Sequence, residues 1–401
     1  MEISPAKKGS VLGAILLIAG CCIGAGMLGL PVLSARAGFI PSLVLFFVCW
    51  LYMVTTGILL VEINLWMDKE THIVSMANQT LGKTGKTISW FVFLFLFYSL
   101  MVAYIAASGS LVSDFLEKHL HQALPNAAGS LIFCLLFGIL IYLGTNALDW
   151  FNRFLMLGLI TSYVALVGTG LPHVNTDLLK HQDWSLASFV IPALIVSFGF
   201  HNLVPSLTTY LNREPRKIIQ AIIIGSLIPL IIYLLWEVLI LGLVPLKDFE
   251  QSLNQGAIAT EALRTAVGAS WIVEIAEIFA FFAIITSLLS VSLSFVDFLA
   301  DALRIKKTPQ GKIILATLVL GPPFLFSLLY PHVFLIALNY AGGFGAVILF
   351  GILPVLMTWK GRYVKHLNHV QLIPGGKFTL VLIMLFAVSV ICIQIFNQFI
   401  F

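Results

Sequence analysis

The chain has 401 residues, 60% of them hydrophobic and only 10% charged, with a formal net charge of +4. A soluble domain carries roughly 25% charged residues, so no soluble fold hides this much apolar surface and the chain is a polytopic membrane protein. The apolar segments are long and apolar on all sides, without the short alternation of an outer-membrane barrel, which makes them helices. The small positive charge gives no reason to expect nucleic acid. Cys21, Cys22, Cys49, Cys134 and Cys392 all fall in apolar runs, show no metal or disulfide spacing, and read as small hydrophobes. No metal site, cofactor or lipidation motif is expected.

Eleven spans emerge by the roughly 20-residue membrane criterion. They cover 11–33, 40–66, 88–116, 129–145, 151–172, 186–210, 218–242, 271–300, 313–330, 333–357 and 378–397. The first follows Lys7 and Lys8 and precedes Ala35-Arg36-Ala37, which imitates a signal peptide. Its apolar run is too long for one, so it reads as an uncleaved first helix. Within it lies Gly20-Cys21-Cys22-Ile23-Gly24-Ala25-Gly26-Met27-Leu28-Gly29-Leu30-Pro31. Four glycines and a proline are poor material for a straight helix. In lipid, broken helix is tolerated only where protein or a polar cavity meets the freed backbone groups. The other reading is a small-residue packing face.

The loop after span 2 holds two misleading patterns. Thr80-Leu81-Gly82-Lys83-Thr84-Gly85-Lys86-Thr87 is nearly a phosphate-binding loop, but Thr80 replaces the first glycine and no strand precedes it, so no nucleotide is expected. Asn78-Gln79-Thr80 matches a glycosylation sequon by chance. The loop from 243 to 270 has room for an interfacial helix. Only Tyr330-Pro331-His332 separates spans 9 and 10, as a tight turn. With the N-terminus cytoplasmic, seventeen of the 22 basic residues fall on the inside, as the positive-inside rule requires. The C-terminus is then periplasmic.

Span 6 contains Ser197-Phe198-Gly199-Phe200-His201-Asn202, followed by Pro205. Such residues inside a crossing are costly unless they face protein or a cavity. This second break opens span 6 as the glycine stretch opens span 1. That is the pattern of a five-plus-five inverted repeat with the substrate at the meeting point of two discontinuous helices. The expected fold class is all-α: residues 11–172 form one repeat, 186–357 the other, and span 11 (378–397) is an addition. A half-helix N-terminus favours an anionic group, and a half-helix C-terminus a cation. One site with both suits a zwitterionic amino acid. The amides of Gly24, Ala25 and Gly26, beside Met27, would hold the carboxylate. Carbonyls near Phe198 and Gly199 would hold the ammonium, with Phe198 and Phe200 lining a side-chain pocket.

These two stretches, with the length and the eleven spans, resemble the bacterial aromatic (and hydroxy) amino acid permeases over essentially the whole chain. Gly24-Ala25-Gly26-Met27-Leu28-Gly29-Leu30-Pro31 is the strongest local signature. The resemblance implies the amino acid–polyamine–organocation transporter fold, an inner-membrane location, and proton-driven uptake of an aromatic amino acid, tyrosine first. Tryptophan or a broad set of neutral amino acids is the second reading. An ion channel, a different class, would need a continuous pore that paired breaks do not suggest. The partners are thus the amino acid, a proton and membrane lipid.

Other polar residues in the spans are weighed against that scheme. His201, with an unperturbed pKa of about 6.5, is a candidate for a substrate hydrogen bond or for proton transfer; its alternative is holding the unwound turn. Glu274 and Glu277 share a face of span 8 and are proton candidates or wet interfacial carboxylates. Glu237 in span 7 is in the same position. Glu62 and Asp297 lie towards inner ends and read as partners of inside lysines and arginines. The resemblance places Thr286 and Ser287 where sodium-driven members of the fold hold a cation, although hydroxyls also cap carbonyls within membrane helices. Tyr98 in span 3 lies on a face that would close the pocket, with Tyr104 off that face. Asn339 and Tyr340, beside Gly342, Gly343 and Gly345 in span 10, are gating candidates or a packing patch.

Overall fold

A computed structural model gives the fold and describes residues 9–67, 71–120, 125–143, 145–267, 271–330, 332–367 and 371–398. Among these are ten helices long and apolar enough to cross a membrane. The pair Val11–Cys22 and Gly26–Ser34, bent by 55°, makes an eleventh span. Span 1 is that pair. Spans 2 to 5 are Phe39–Leu65, Lys83–Leu120, Asn126–Leu143 and Thr145–Gly170. Span 6 is interrupted: Ile191–Ser197 and Val204–Tyr210 are helical, and residues 198–200 between them are not. Spans 7 to 9 are Pro215–Leu243, Trp271–Ala302 and Pro309–Leu329. Span 10 is Phe334–Tyr363 and span 11 is Gly376–Asn397. Pro331, in the expected turn between spans 9 and 10, lies outside the described residues.

The helices start where the sequence offers caps. Ser10 accepts the Gly13 amide at 3.0 Å, and Thr308 accepts that of Gly311 at 3.2 Å. Asp183, just ahead of span 6, accepts from both the hydroxyl and the amide of Ser185, which hold its carboxyl below the usual range. The loop between spans 7 and 8 contains two short helices, Leu246–Asn254 and Ala259–Val267; each buries one face, including Phe249 and Leu263. The near phosphate-binding loop is the end of a short helix, Ile73–Leu81, a turn at Gly82, and the start of span 3.

Burial separates centre from periphery. In the apolar windows of spans 10, 6 and 2, 78, 67 and 61% of residues are buried, against 28% in spans 4, 5, 9 and 11. The centre therefore belongs to spans 10, 6 and 2 together with broken span 1. Within span 10, Ala341–Ile352 winds as a wide π-helix, a form that usually marks a functional segment. Gly342 there lies so close to the Pro192 carbonyl of span 6 that no Cβ fits between them.

Two arginines lock the N-terminal face, meaning the face at which span 1 begins. Arg362, near the end of span 10, forms a bidentate pair with Glu62 of span 2, both bonds at 2.6 Å and both side chains fully enclosed. Glu62 also accepts the Leu372 amide at 2.8 Å, and Arg362 reaches the Ile373 carbonyl at 3.2 Å. Arg213 donates to the carbonyls of Asn64, Leu65 and Met67 at the end of span 2. Asp297 pairs with Lys307 at 2.5 Å. The expected pairing of Glu62 and Asp297 with basic residues is thus present.

Removing one partner of a buried ion pair leaves a charge uncompensated, at about 3–5 kcal/mol. Arg362→Gln is therefore expected to lower the thermal unfolding temperature in detergent markedly. The double variant Glu62→Gln/Arg362→Gln should recover much of the loss. A double variant no more stable than the single one would show that the charge is not the source of the effect.

Candidate functional site

The breaks in spans 1 and 6 meet. A Cβ on Gly26 would stand 2.8 Å from Ser197 Oγ, and Cys21 Sγ lies 3.9 Å from the Gly199 carbonyl. A continuous helix would satisfy the Cys22 carbonyl with the amide of residue 26, and the Ser197 carbonyl with that of residue 201. The breaks remove both donors. Tyr233 of span 7 stands at these two carbonyls, its hydroxyl 2.6 Å from that of Cys22 and 2.9 Å from that of Ser197. One hydroxyl carries one hydrogen. Two half-helix C-termini thus share a single donor, and the acceptor capacity left over suits a cationic group.

Span 7 satisfies a third freed carbonyl. Pro31 remains inside the helical second half of span 1. It has no N–H for the carbonyl four residues back, which is that of Met27. Trp236 Nε1 donates to that carbonyl at 3.0 Å. Tyr233, Trp236 and Glu237 lie three and four residues apart and so form one face. Glu237 Oε2 accepts from Ser34 Oγ at 2.7 Å, at the end of the same half-helix.

Span 8 supplies the other wall. The Ala25 amide donates to Ser287 Oγ at 2.7 Å. Gly24 lies so close to this hydroxyl that a Cβ would overlap it. Of the three amides expected to receive a carboxylate, that of Ala25 therefore already has an acceptor. Thr286, by contrast, turns its hydroxyl to the Phe282 and Ala283 carbonyls of its own helix, so only Ser287 reaches the first break.

His201 is fully buried. Its Nε2 is 3.0 Å from Thr56 Oγ1, and its ring stacks between Phe200 and Phe350 at 4.8 and 4.7 Å. Phe200 packs over Gly57. His201 and Phe200 thus contact spans 2 and 10, while Phe198 packs on Tyr233 at 5.2 Å. Nδ1 of His201 is buried without a partner, as is Asn339 Oδ1. Tyr340 stacks on Phe344 at 5.8 Å, just where the wide helix begins.

Three candidates lie away from the breaks. Tyr98 donates to the Leu318 carbonyl of span 9 at 3.0 Å and packs edge-on against Phe295. Leu318 is four residues before Pro322, so Tyr98 supplies a hydrogen that the proline cannot, and it does not line the breaks. Glu277 stands 3.8 Å from Arg264 of the neighbouring loop, and Glu274 is exposed one turn nearer the start of span 8. Tyr104, off the Tyr98 face of span 3, is buried.

The two halves of the bundle differ in exposure. On the side of the breaks away from the N-terminal face, Met27 to Ser34 and Ile191 to Ile195 are buried throughout. Towards the N-terminal face, Asn202, Ser206 and Thr209 of span 6 are exposed, as are Ser290, Ser294, Asp297 and Asp301 of span 8. Each set repeats at three or four residues, one helix face. Polar faces of this kind belong to water and not to lipid. Cys21, beside the breaks, is exposed.

Two interrupted helices whose freed backbone groups converge inside a many-spanned bundle are the mark of a membrane carrier. The tryptophan/tyrosine permease family matches residues 7–394, and the chain belongs to it: it is a transport protein for an aromatic amino acid, not an enzyme. It is 33% identical over 388 residues to tyrosine-specific transport system 1 of Haemophilus influenzae, covering 94% of this chain and 95% of that one. It is 31% identical to the tryptophan-specific transport protein of the same organism, covering 97% and 96%. The crystal structure of MhsT in complex with L-phenylalanine superposes with a TM-score of 0.66 at 15% identity, covering 98% of this chain and 99% of that one. This is the fold of the five-plus-five inverted-repeat transporters.

Gly24→Ala is expected to cut uptake by tenfold or more, since overpacking of about 1–3 kcal/mol falls on the break itself. Adding Ser287→Ala removes the overlapping hydroxyl and leaves Ser287 Cβ at 3.4 Å. The double variant should therefore transport better than Gly24→Ala alone. Uptake by the two variants in parallel decides it, and equal inactivity would count against a steric cause.

Proposed function

We propose that the chain takes up tyrosine with a proton across the bacterial inner membrane by alternating access, N-terminus cytoplasmic and C-terminus periplasmic. The observation that carries the reading is the meeting of the two breaks at Gly26 and Ser197, with one Tyr233 hydrogen between two carbonyls. The amides of Gly24, Ala25 and Gly26 receive the substrate carboxylate, with Ser287 yielding the Ala25 amide or remaining bound beside it. The ammonium takes the acceptor capacity left at Cys22, Ser197 and Gly199. Phe198, packed on Tyr233, bounds the aromatic pocket. His201 fixes the turn of span 6 against spans 2 and 10. Asn339 and Tyr340 move with span 10.

The orientation rests on the excess of basic residues at the N-terminal face. In that orientation the exposed polar faces of spans 6 and 8 open to the cytoplasm, and the buried half closes the periplasmic side. The structure is then the inward-facing state. Residues 11–172 and 186–357 are the two repeats that exchange it for the outward-facing one. Tyrosine is favoured by the relative at 33% identity that carries that name; the tryptophan-specific relative at 31% supports tryptophan as the second reading.

Proteoliposomes with labelled tyrosine, tryptophan, phenylalanine and serine, under imposed proton or sodium gradients, test the proposal. Tyrosine uptake is expected to rise with an inward proton gradient and to be indifferent to sodium. Robust uptake of another solute without tyrosine uptake would overturn the substrate. His201→Asn, which keeps a hydrogen-bonding side chain for Thr56 but does not titrate, should retain proton-driven uptake if His201 is structural. Loss of the gradient response alone would make it the proton carrier.

A further inference from the structure

We propose that Glu237 is a proton-sensitive latch, and that its protonation from the periplasmic side closes the periplasmic half of span 1 onto span 7. This rests on the alternating-access reading above and names a group that controls its periplasmic closure. Glu237 is 1% exposed, in the half of span 7 beyond the breaks. Its described partner is Ser34 Oγ at 2.7 Å, and its second oxygen, Oε1, is buried with no partner. Ser34 ends the half-helix Gly26–Ser34. The carboxyl therefore sits on the contact that outward opening must break.

The charges around it do not neutralise it. The Gly26–Ser34 half-helix brings no ionisable side chain. Span 5 brings Tyr163, which donates to the Ile232 carbonyl, and span 2 brings Glu62, locked to Arg362 at the opposite end. The loop helices bring Lys247, Asp248 and Glu250, then Glu261 and Arg264, with Arg264 near Glu277. Arg36 follows span 1, and its carbonyl takes His181 Nε2 at 2.8 Å. Asp177 pairs with Lys180. Among the described residues none of these bonds to Glu237. A carboxylate enclosed without a cation is far costlier than the neutral acid. As an acid, the group can donate to Ser34 Oγ, whose own hydrogen then turns to the Pro31 carbonyl at 3.3 Å.

A cavity of about 190 Å³ opens just beyond this contact, lined by Ala35, the residue after Ser34, and by Leu241, one turn after Glu237. Asp177 and His181 line it as well. Water entering as span 1 swings away would reach the carboxyl from that side and let it ionise. Closure would then require the proton back.

Cys21 reports the outcome, because it is exposed beside the breaks while Cys22, Cys49 and Cys134 are buried. In a Cys392→Ser background without substrate, with both faces of the inside-out vesicles at the same pH, the maleimide labelling rate of Cys21, divided at each pH by that of a free thiol to remove the thiolate dependence, should be at least about threefold higher in acidic than in alkaline buffer. Glu237→Gln, a permanent stand-in for the acid, should label at the fast rate at every pH. It should also lose the stimulation of uptake by a proton gradient. Ser34→Ala should displace the pH profile without flattening it. A flat profile in the unsubstituted protein, or an unchanged profile in Glu237→Gln, would overturn the proposal. Should Glu237→Gln not fold, an unshifted profile in Ser34→Ala overturns it. The labelling needs no substrate. A protein that labels as described yet takes up no tyrosine would fail the transport reading and not this one.

Discussion

The structure depends on how its broken helices satisfy their carbonyls. A membrane interior offers no water, so each freed acceptor needs a donor from the protein, at a cost of several kcal/mol if none comes. Span 7 supplies these donors. Tyr233 serves the Cys22 and Ser197 carbonyls at the two breaks, and Trp236 serves the Met27 carbonyl that Pro31 leaves open. Without that side of span 7, neither interruption would be tolerable at mid-membrane. The provision is also incomplete, since Tyr233 has one hydrogen for two carbonyls. Breaks fully satisfied by their own protein would have no acceptor left for an ammonium; the deficit is what lets them serve as the proposed site.

The same logic separates residues that hold the fold from residues that bind. Tyr98 looks like a binding residue, a phenol facing inward on span 3, until Pro322 is counted four residues beyond its acceptor, Leu318. Its hydrogen is committed to a kink. His201 is committed to Thr56 and to a stack of Phe200 and Phe350. Ser287 occupies the middle ground: its oxygen takes the Ala25 amide, yet that bond lies at the break, where a stronger acceptor such as a carboxylate competes directly.

The eleven spans were legible in the sequence because apolar length is a one-dimensional signal. So were both breaks, because glycine and polar residues within a crossing stand out locally. The pairing of Glu62 with a basic residue was legible as chemistry, but its partner Arg362, 300 residues away, was not. Tyr233 and Trp236 were invisible as functional residues: in an apolar run an aromatic looks the same whether it meets lipid or a carbonyl. One signal could have found Trp236. A proline at 31 announces an open carbonyl at 27, and a buried indole N–H needs an acceptor. The glycines of span 10 were legible as a cluster, but their π-helical winding and the close approach of Gly342 to Pro192 were not, since neither leaves a local signal in the sequence.

The order of residues on span 7 bears on how a carrier of this kind moves. Tyr233 lies at the breaks, so any rotation of a half-helix about its break carries the Cys22 and Ser197 carbonyls through short arcs. Its hydrogen bonds can follow in both states. Trp236 and Glu237 stand about one turn farther along, roughly 5–6 Å by helix rise, and bind positions at increasing distance from the hinge, Met27 and then Ser34. The displacement grows with that distance. The Ser34 contact, farthest out and made by a carboxyl with one oxygen unpartnered, is therefore the first that outward rotation of span 1 separates. The Tyr233 bridge is the last. A span that tethers at the hinge and latches at the tip permits one motion and resists others, which is what alternating access asks of a rigid neighbour.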